Sequence, residues 1–155
     1  MSLPMSTFAA CARGGSEPGL LGHHLFIYLL EDSGPLSDRV AALRERMLER
    51  ADELCTSTLT LGEVLVKPAE QGNQGLRQRY EDVLSQTARL IAFDREAARR
   101  YAEIRRNRSI RPPDAIQLAC AALVGVDLFI TNDDRLSRLT VPGIEFLVPL
   151  DRAFL

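Results

Sequence analysis

The chain has 155 residues, 46% of them hydrophobic and 26% charged, with a formal net charge of −2. That length fits one domain with a core of useful size, and the balance is ordinary for a soluble globular protein. It excludes a bulk attraction to nucleic acid but leaves room for a local basic patch. Cys11, Cys55 and Cys120 are too few, and odd in number, for a disulfide framework. No apolar run is long enough for a signal-peptide core or a membrane span, so a reduced, cytoplasmic setting is expected.

In chain order, residues 1–22 lack periodicity and read as irregular coil, set apart from a domain over 23–155. Residues 24–31 are compact and apolar, by length either a strand or a buried helix. Ser33-Gly34-Pro35 breaks the chain. Helical spacing over 37–51 turns Val40, Leu43, Met47 and Leu48 inward. Glu53–Ser57 predicts a short strand, and 58–66 a helix that Pro68 stops. After a turn over 72–75, residues 75–87 predict an amphipathic helix with Leu76, Tyr80, Val83 and Leu84 on one face.

Residues 89–93 predict a strand, and Asp94 caps a helix over 95–107. Pro112-Pro113 opens the next helix, since proline is tolerated in a first turn. Residues 127–131 predict a strand, 134–139 a short helix and 144–148 a last strand. Strands alternating with helices predict an α/β fold, a parallel sheet with helices on both faces.

Three carboxylates are hard to explain as packing. Glu63 interrupts the apolar run 58–66, Asp114 opens the apolar helix 115–123, and Asp133 follows the apolar strand 127–131. Carboxylates against core surface cost free energy unless paired, hydrogen-bonded or bound to a cation. Asp133 projects at the carboxyl end of its strand, where open α/β sheets bind ligands. Asp114 sits in a first turn, where the helix dipole favours an anion. Oxygen donors without sulfur or imidazole suit Mg²⁺ or Mn²⁺. Taken singly, each has a structural explanation. Asp133 or Asn132 caps the following turn, Asp114 answers the dipole, and Glu63 is a solvent-facing position on an amphipathic helix.

Together the contexts resemble the PIN domain, the metal-dependent ribonuclease fold of VapC-type toxins. The resemblance runs from about Leu25 to Leu150. Thr58-Leu59-Thr60-Leu61-Gly62-Glu63-Val64 is similar to the family's second acidic motif, and Pro112-Pro113-Asp114-Ala115-Ile116-Gln117-Leu118-Ala119 to its third. Phe129-Ile130-Thr131-Asn132-Asp133 is similar to the fourth. The resemblance implies that Glu63, Asp114 and Asp133 hold the metal and position an attacking water, with Thr131 supporting them by hydrogen bonding; Asp134 is a further candidate. It also implies hydrolysis of RNA, a homodimer and a small cognate antitoxin that blocks the site. The other reading is a binding module that keeps the fold and has lost the chemistry.

The family opens with a strand ending in Asp-Thr-Asn, where this chain reads Gly22-His23-His24. One hypothesis is a reading-frame error, in which one lost nucleotide would account for the difference. The string G-GAC-ACC-AAC encodes Asp-Thr-Asn, and with one A removed GGA-CAC-CAC encodes Gly-His-His. In the same frame, C-CGG-GTC-TAC-TTG gives a strand-like Arg-Val-Tyr-Leu where the chain has Pro18-Gly19-Leu20-Leu21. His23 and His24 as replacement ligands would instead favour Mn²⁺ or Zn²⁺.

Residues 94–111 carry seven arginines against three acids, a local charge of +4 just before Asp114. Basic groups beside an acidic site suit phosphate positioning without sequence reading. Arg108 and Arg111, in the loop leading to Asp114, are the RNA-binding candidates. The alternative is a solvated helix face laced with ion pairs such as Glu96–Arg100.

Overall fold

A computed structural model of the chain describes residues 10–11, 35–131 and 133–152. The apolar segment 24–31, His23 and His24 lie outside the described residues. The elements are β1 (Ala10–Cys11), α1 (Pro35–Glu49), β2 (Glu53–Ser57), α2 (Thr58–Glu70), α3 (Gln74–Thr87), β3 (Arg89–Ile91), α4 (Arg95–Ile104), α5 (Pro112–Val124), β4 (Leu128–Thr131) and β5 (Phe146–Pro149). Short 3-10 turns occupy Leu136–Arg138 and Leu150–Arg152.

β2 and β3 pair in parallel, with Cys55 opposite Arg89 and Ser57 opposite Ile91. β4 and β5 do the same, from Leu128 opposite Phe146 to Thr131 opposite Pro149. Parallel neighbours need a crossover, which α2 and α3 supply for the first pair and the stretch 132–145 for the second. β1 pairs antiparallel with β2, Ala10 opposite Leu54, and also lies against β4. Residues 10–11 therefore depart from the coil expected before residue 23. With β3 on its other side, β2 is the middle strand of the order β1-β2-β3.

The described strands form two sheets, β1-β2-β3 and β4-β5, and the core around them is apolar. Every residue of β4 is buried, as are Leu54 to Ser57 of β2. Consecutive burial means both faces are covered, as parallel α/β sheets require. α5 packs on β2 and α4 and buries Ala115, Leu118, Ala119, Cys120, Ala121 and Ala122. Its ends follow from sequence: Pro112 stands at N1, where no donor is lost, and Gly125 closes the helix at φ 67°, a left-handed value that suits glycine.

Some boundaries differ from expectation. α2 runs through Pro68 to Glu70 rather than stopping before it. So near the end the proline forfeits one helical bond, and burial of its ring offsets the loss. α4 ends at Ile104, where Arg106 and Asn107 turn to three-residue bonds with Glu103 and Ile104. β3 stops at Ile91, and Phe93 leaves the sheet to meet Tyr101 edge-on, with ring centroids 5.7 Å apart. The last strand begins at Phe146, two residues late, and the predicted helix over 134–139 is a single 3-10 turn. On α1, Val40, Leu43 and Met47 form the buried stripe; Leu48 is 60% exposed, because the stripe is complete without it.

Candidate functional site

Asp114 and Asp133 come from separate elements and meet at one guanidinium. Arg111 Nε lies 3.1 Å from Asp114 Oδ2, and its Nη2 lies 3.8 Å from Asp133 Oδ2. Both carboxylates are buried, 3% and 6% exposed. Asp114 is in the first turn of α5, as its proline-led start requires. Asp133 stands two residues past β4, at the carboxyl end of the strand, with its backbone N–H donating to Thr131 Oγ1 over 2.9 Å. Thr131 thus fixes the turn that aims Asp133.

Arg135 forks onto the same carboxylate, with Nη2 2.7 Å from Asp133 Oδ2 and Nε 3.1 Å from Oδ1. Its backbone N–H also donates to Oδ1 over 2.9 Å. Asp133 thus closes a local turn with the Arg135 N–H, while the 3-10 turn that follows has Arg135 itself at its N-cap position and no side-chain cap. The hydrogen bonds from Arg135 hold the Asp133 carboxyl below the usual range, against the upward pull of burial, and Arg111 adds to the lowering. Asp133 is therefore a carboxylate at neutral pH.

Glu63 keeps a half-buried place on α2. Among the described residues, no three His, Cys, Asp or Glu side chains gather closely enough to hold a metal ion, so Glu63 does not join Asp114 and Asp133 in one cluster. Clustered carboxylates repel one another; Arg111 and Arg135 take up two of the three instead. Arg111 reaches the site, while Arg108 is exposed in the α4–α5 turn and pairs with no described residue. Asp134 is exposed beside Asp133, at a cleft of about 300 Å³ that Ser137, Arg138 and Arg152 help to line. On α4, Arg99 pairs with Glu96, and Arg106, just past its end, pairs back with Glu103, so part of the basic stretch is laced by ion pairs.

A buried polar chain lies behind the carboxylates. The Thr56 hydroxyl donates to Thr60 Oγ1 over 2.7 Å, and Gln117 Nε2 donates to the same oxygen over 2.8 Å. Thr60 is three residues before Glu63, and Gln117 three after Asp114, spacings that share a helix face. Arg135 and Gln117 are the residues that the sequence reading overlooked. Each carried a signal: Arg135 is two positions from Asp133, and Gln117 is the one polar residue in the apolar stretch Ala115–Leu123.

The donor set is all oxygen and suits a hard divalent cation. Two carboxylates, with water and substrate oxygens filling the remaining positions, is a usual way to bind Mg²⁺. Asp114 and Asp133 already converge on a positive group, which is what such an ion also requires.

Residues 24–142 match the PIN domain family, and the chain belongs to it. It is an α/β domain of a family whose members are generally nucleases. Among solved structures, the chain resembles a toxin–antitoxin complex from Klebsiella pneumoniae at 24% identity and TM-score 0.59. That match covers 79% of this chain and 92% of the other. It also resembles VapBC2 from Rickettsia felis bound to a DNA fragment from their promoter, at 17% identity and TM-score 0.64, covering 83% and 95%. No curated protein matches the chain at a significant level. Among the described residues, no helix is long and apolar enough to cross a membrane.

Proposed function

We propose that the chain is an endoribonuclease dependent on Mg²⁺ or Mn²⁺, the toxin of a type II toxin–antitoxin pair, working in the cytoplasm. The observation that carries the reading is the convergence of Asp114 and Asp133, buried and from separate elements, on Arg111 at the carboxyl end of β4. Similarity to toxin–antitoxin complexes supports a cognate antitoxin as partner. The homodimer follows from the family resemblance alone.

Asp114 and Asp133 would hold the cation, and Glu63, which stands apart from them on α2, is the candidate third ligand only if the cation draws it in. A bound divalent cation supplies Lewis acidity at the scissile phosphate. The residues do the remainder. Asp133 stays ionised, so it holds charge rather than a proton. Arg111 places positive charge where a phosphodiester oxygen gains negative charge. The reaction forms a bond from water oxygen to phosphorus and breaks the bond to the leaving ribose oxygen, which takes up a proton from solvent. The water's proton passes to a carboxylate oxygen of the site, and Asp114 is our candidate acceptor.

The test is cleavage of single-stranded RNA with Mg²⁺ or Mn²⁺, expected in the wild type and lost in Asp114→Asn. Cleavage that persists in that variant would assign the activity to a contaminant or another site. One observation favours the second reading, a binding module with impaired chemistry: no three-carboxylate group forms among the described residues. On that reading the wild type fails to cleave but still binds its antitoxin.

A further inference from the structure

Arg135 holds Asp133 with a bidentate fork and a backbone N–H, three bonds to one carboxylate. A carboxylate offers about four lone-pair positions, so this hold leaves little of Asp133 for another ligand. The two partners differ sharply in exposure. The Arg135 side chain is 71% exposed, while Asp133 is buried, so the guanidinium meets the carboxylate from the solvent side. A cation entering from solvent meets Asp133 on that same side. Arg111 is placed otherwise, half-buried and between the two carboxylates.

We propose that Arg135 is an internal competitor for the cation at Asp133, and that once displaced it turns its free fork to a phosphate of the substrate strand. The backbone supports such an exchange. Leu136 N–H donates to the Asp133 carbonyl over 3.0 Å, and the Ser137 hydroxyl donates to the Asp134 carbonyl over 2.8 Å. Those bonds fix the turn, so only the exposed side chain has to move. The incoming cation replaces the guanidinium as the counter-ion of Asp133. The guanidinium fork then matches phosphate as it matched carboxylate. This inference rests on the metal-dependent reading above.

The experiment is a titration of free Mn²⁺, followed by its electron paramagnetic resonance signal, against wild type, Arg135→Ala, Arg135→Lys and Asp133→Asn. Arg135→Ala is expected to bind Mn²⁺ about two- to fivefold more tightly, the range an exposed ion pair supports. Arg135→Lys should fall between, since lysine offers a point charge in place of a fork. Asp133→Asn should bind more weakly. Damage to the fold does not tighten a metal, so a gain separates competition from mere structural support. At saturating Mn²⁺ the KM for single-stranded RNA should rise in Arg135→Ala. Tighter Mn²⁺ with an unchanged KM overturns the transfer to phosphate. An affinity in Arg135→Ala equal to or below wild type, with Asp133→Asn weaker still, overturns the competition and leaves the metal site standing. No Mn²⁺ binding by wild type or Arg135→Ala overturns the metal-dependent reading, and the proposal with it.

Discussion

Gln117 Nε2 donates to Thr60 Oγ1 over 2.8 Å, across 57 positions of the chain, and both side chains are buried. The bond ties α5 to α2, one turn from Asp114 on the first helix and one turn from Glu63 on the second. Thr60 is also bonded to Thr56. Gln117 Oε1, by contrast, is buried with no hydrogen-bond partner among the described residues.

This asymmetry predicts unequal costs. Thr60→Val strips from the Gln117 amide the acceptor it has among the described residues, and one from Thr56, leaving buried donors unmet at about 1–3 kcal/mol. Gln117→Leu removes the unpartnered carbonyl along with the donor and leaves Thr60 bonded to Thr56, so it should cost less. The double variant should lie between the two, since it spares the Gln117 amide but still strips Thr56 of its acceptor. Urea unfolding of the three variants decides it; a larger loss in Gln117→Leu than in Thr60→Val would sink the account.

Asp133 predicts the acid limb of stability. Its folded pKa lies below the ordinary value, chiefly through Arg135. As pH falls below about 4 the unfolded chain takes up this proton before the folded one does. The contribution of Asp133 is therefore present above about pH 4 and lost as pH falls through the folded value. Wild type should lose stability more steeply than Asp133→Asn on that limb. Superimposable limbs in denaturant melts from pH 5 to pH 2 would mean that the fold does not favour the charged form.

Cys120 predicts the alkaline limb and a labelling result. Burial, with the charge of Asp94 second, pushes its thiol up from about 9 to about 12. The unfolded chain then releases this proton first, so the contribution is intact below about pH 9 and lost as pH rises toward 12. Cys55 is fully buried as well. In a Cys11→Ser variant, a thiol-alkylating reagent at pH 8 should label neither remaining cysteine until denaturant is added, and then both. Prompt labelling in native buffer would show that α5 opens readily.

Much of this was legible because punctuation and pattern agreed. Pro112-Pro113 and Gly125 bracket α5, Asn73 and Asp94 cap α3 and α4 through their side chains, and Glu53–Ser57 is a strand as expected. What escaped was set by tertiary contact. Pro68 is kept in its helix by burial, and Leu48 is turned out because its neighbours complete the stripe. At the site, the positions of Asp114 and Asp133 follow from local signals, a first turn and a strand end. Their union depends on Arg111 reaching Asp133 across 22 residues, and Arg135 as a second counter-ion depends on a turn geometry that spacing alone leaves open. The position of Glu63 depends on how α2 lies on α5, which no local pattern encodes.

Gly143 yields the last prediction. It adopts φ +96°, a region that L side chains rarely visit, and a Cβ built there would lie 2.8 Å from the Ala122 carbonyl oxygen and 3.2 Å from Ala122 Cα. The obstacle is helix backbone, which does not swing aside. Ala122 belongs to α5, whose first turn carries Asp114, and Gly143 belongs to the turn that leads into β5, the partner of the strand before Asp133. The turn is closed by Ile144 N–H donating to the Val141 carbonyl, and Phe146 N–H then bonds the Asp127 carbonyl. Gly143→Ala therefore has to strain the backbone, at about 1–3 kcal/mol, and push against α5, at about another 1–3 kcal/mol. Gly72 is the control, since it too has a positive φ, +61°, but nothing within 4 Å of its Cβ position. Gly72→Ala should cost only the left-handed penalty, about 1–2 kcal/mol. Thermal melts of the two variants compare them directly. Equal losses would leave backbone conformation as the whole cost at Gly143, and the close approach of its turn to α5 would contribute nothing to holding the two halves of the site together.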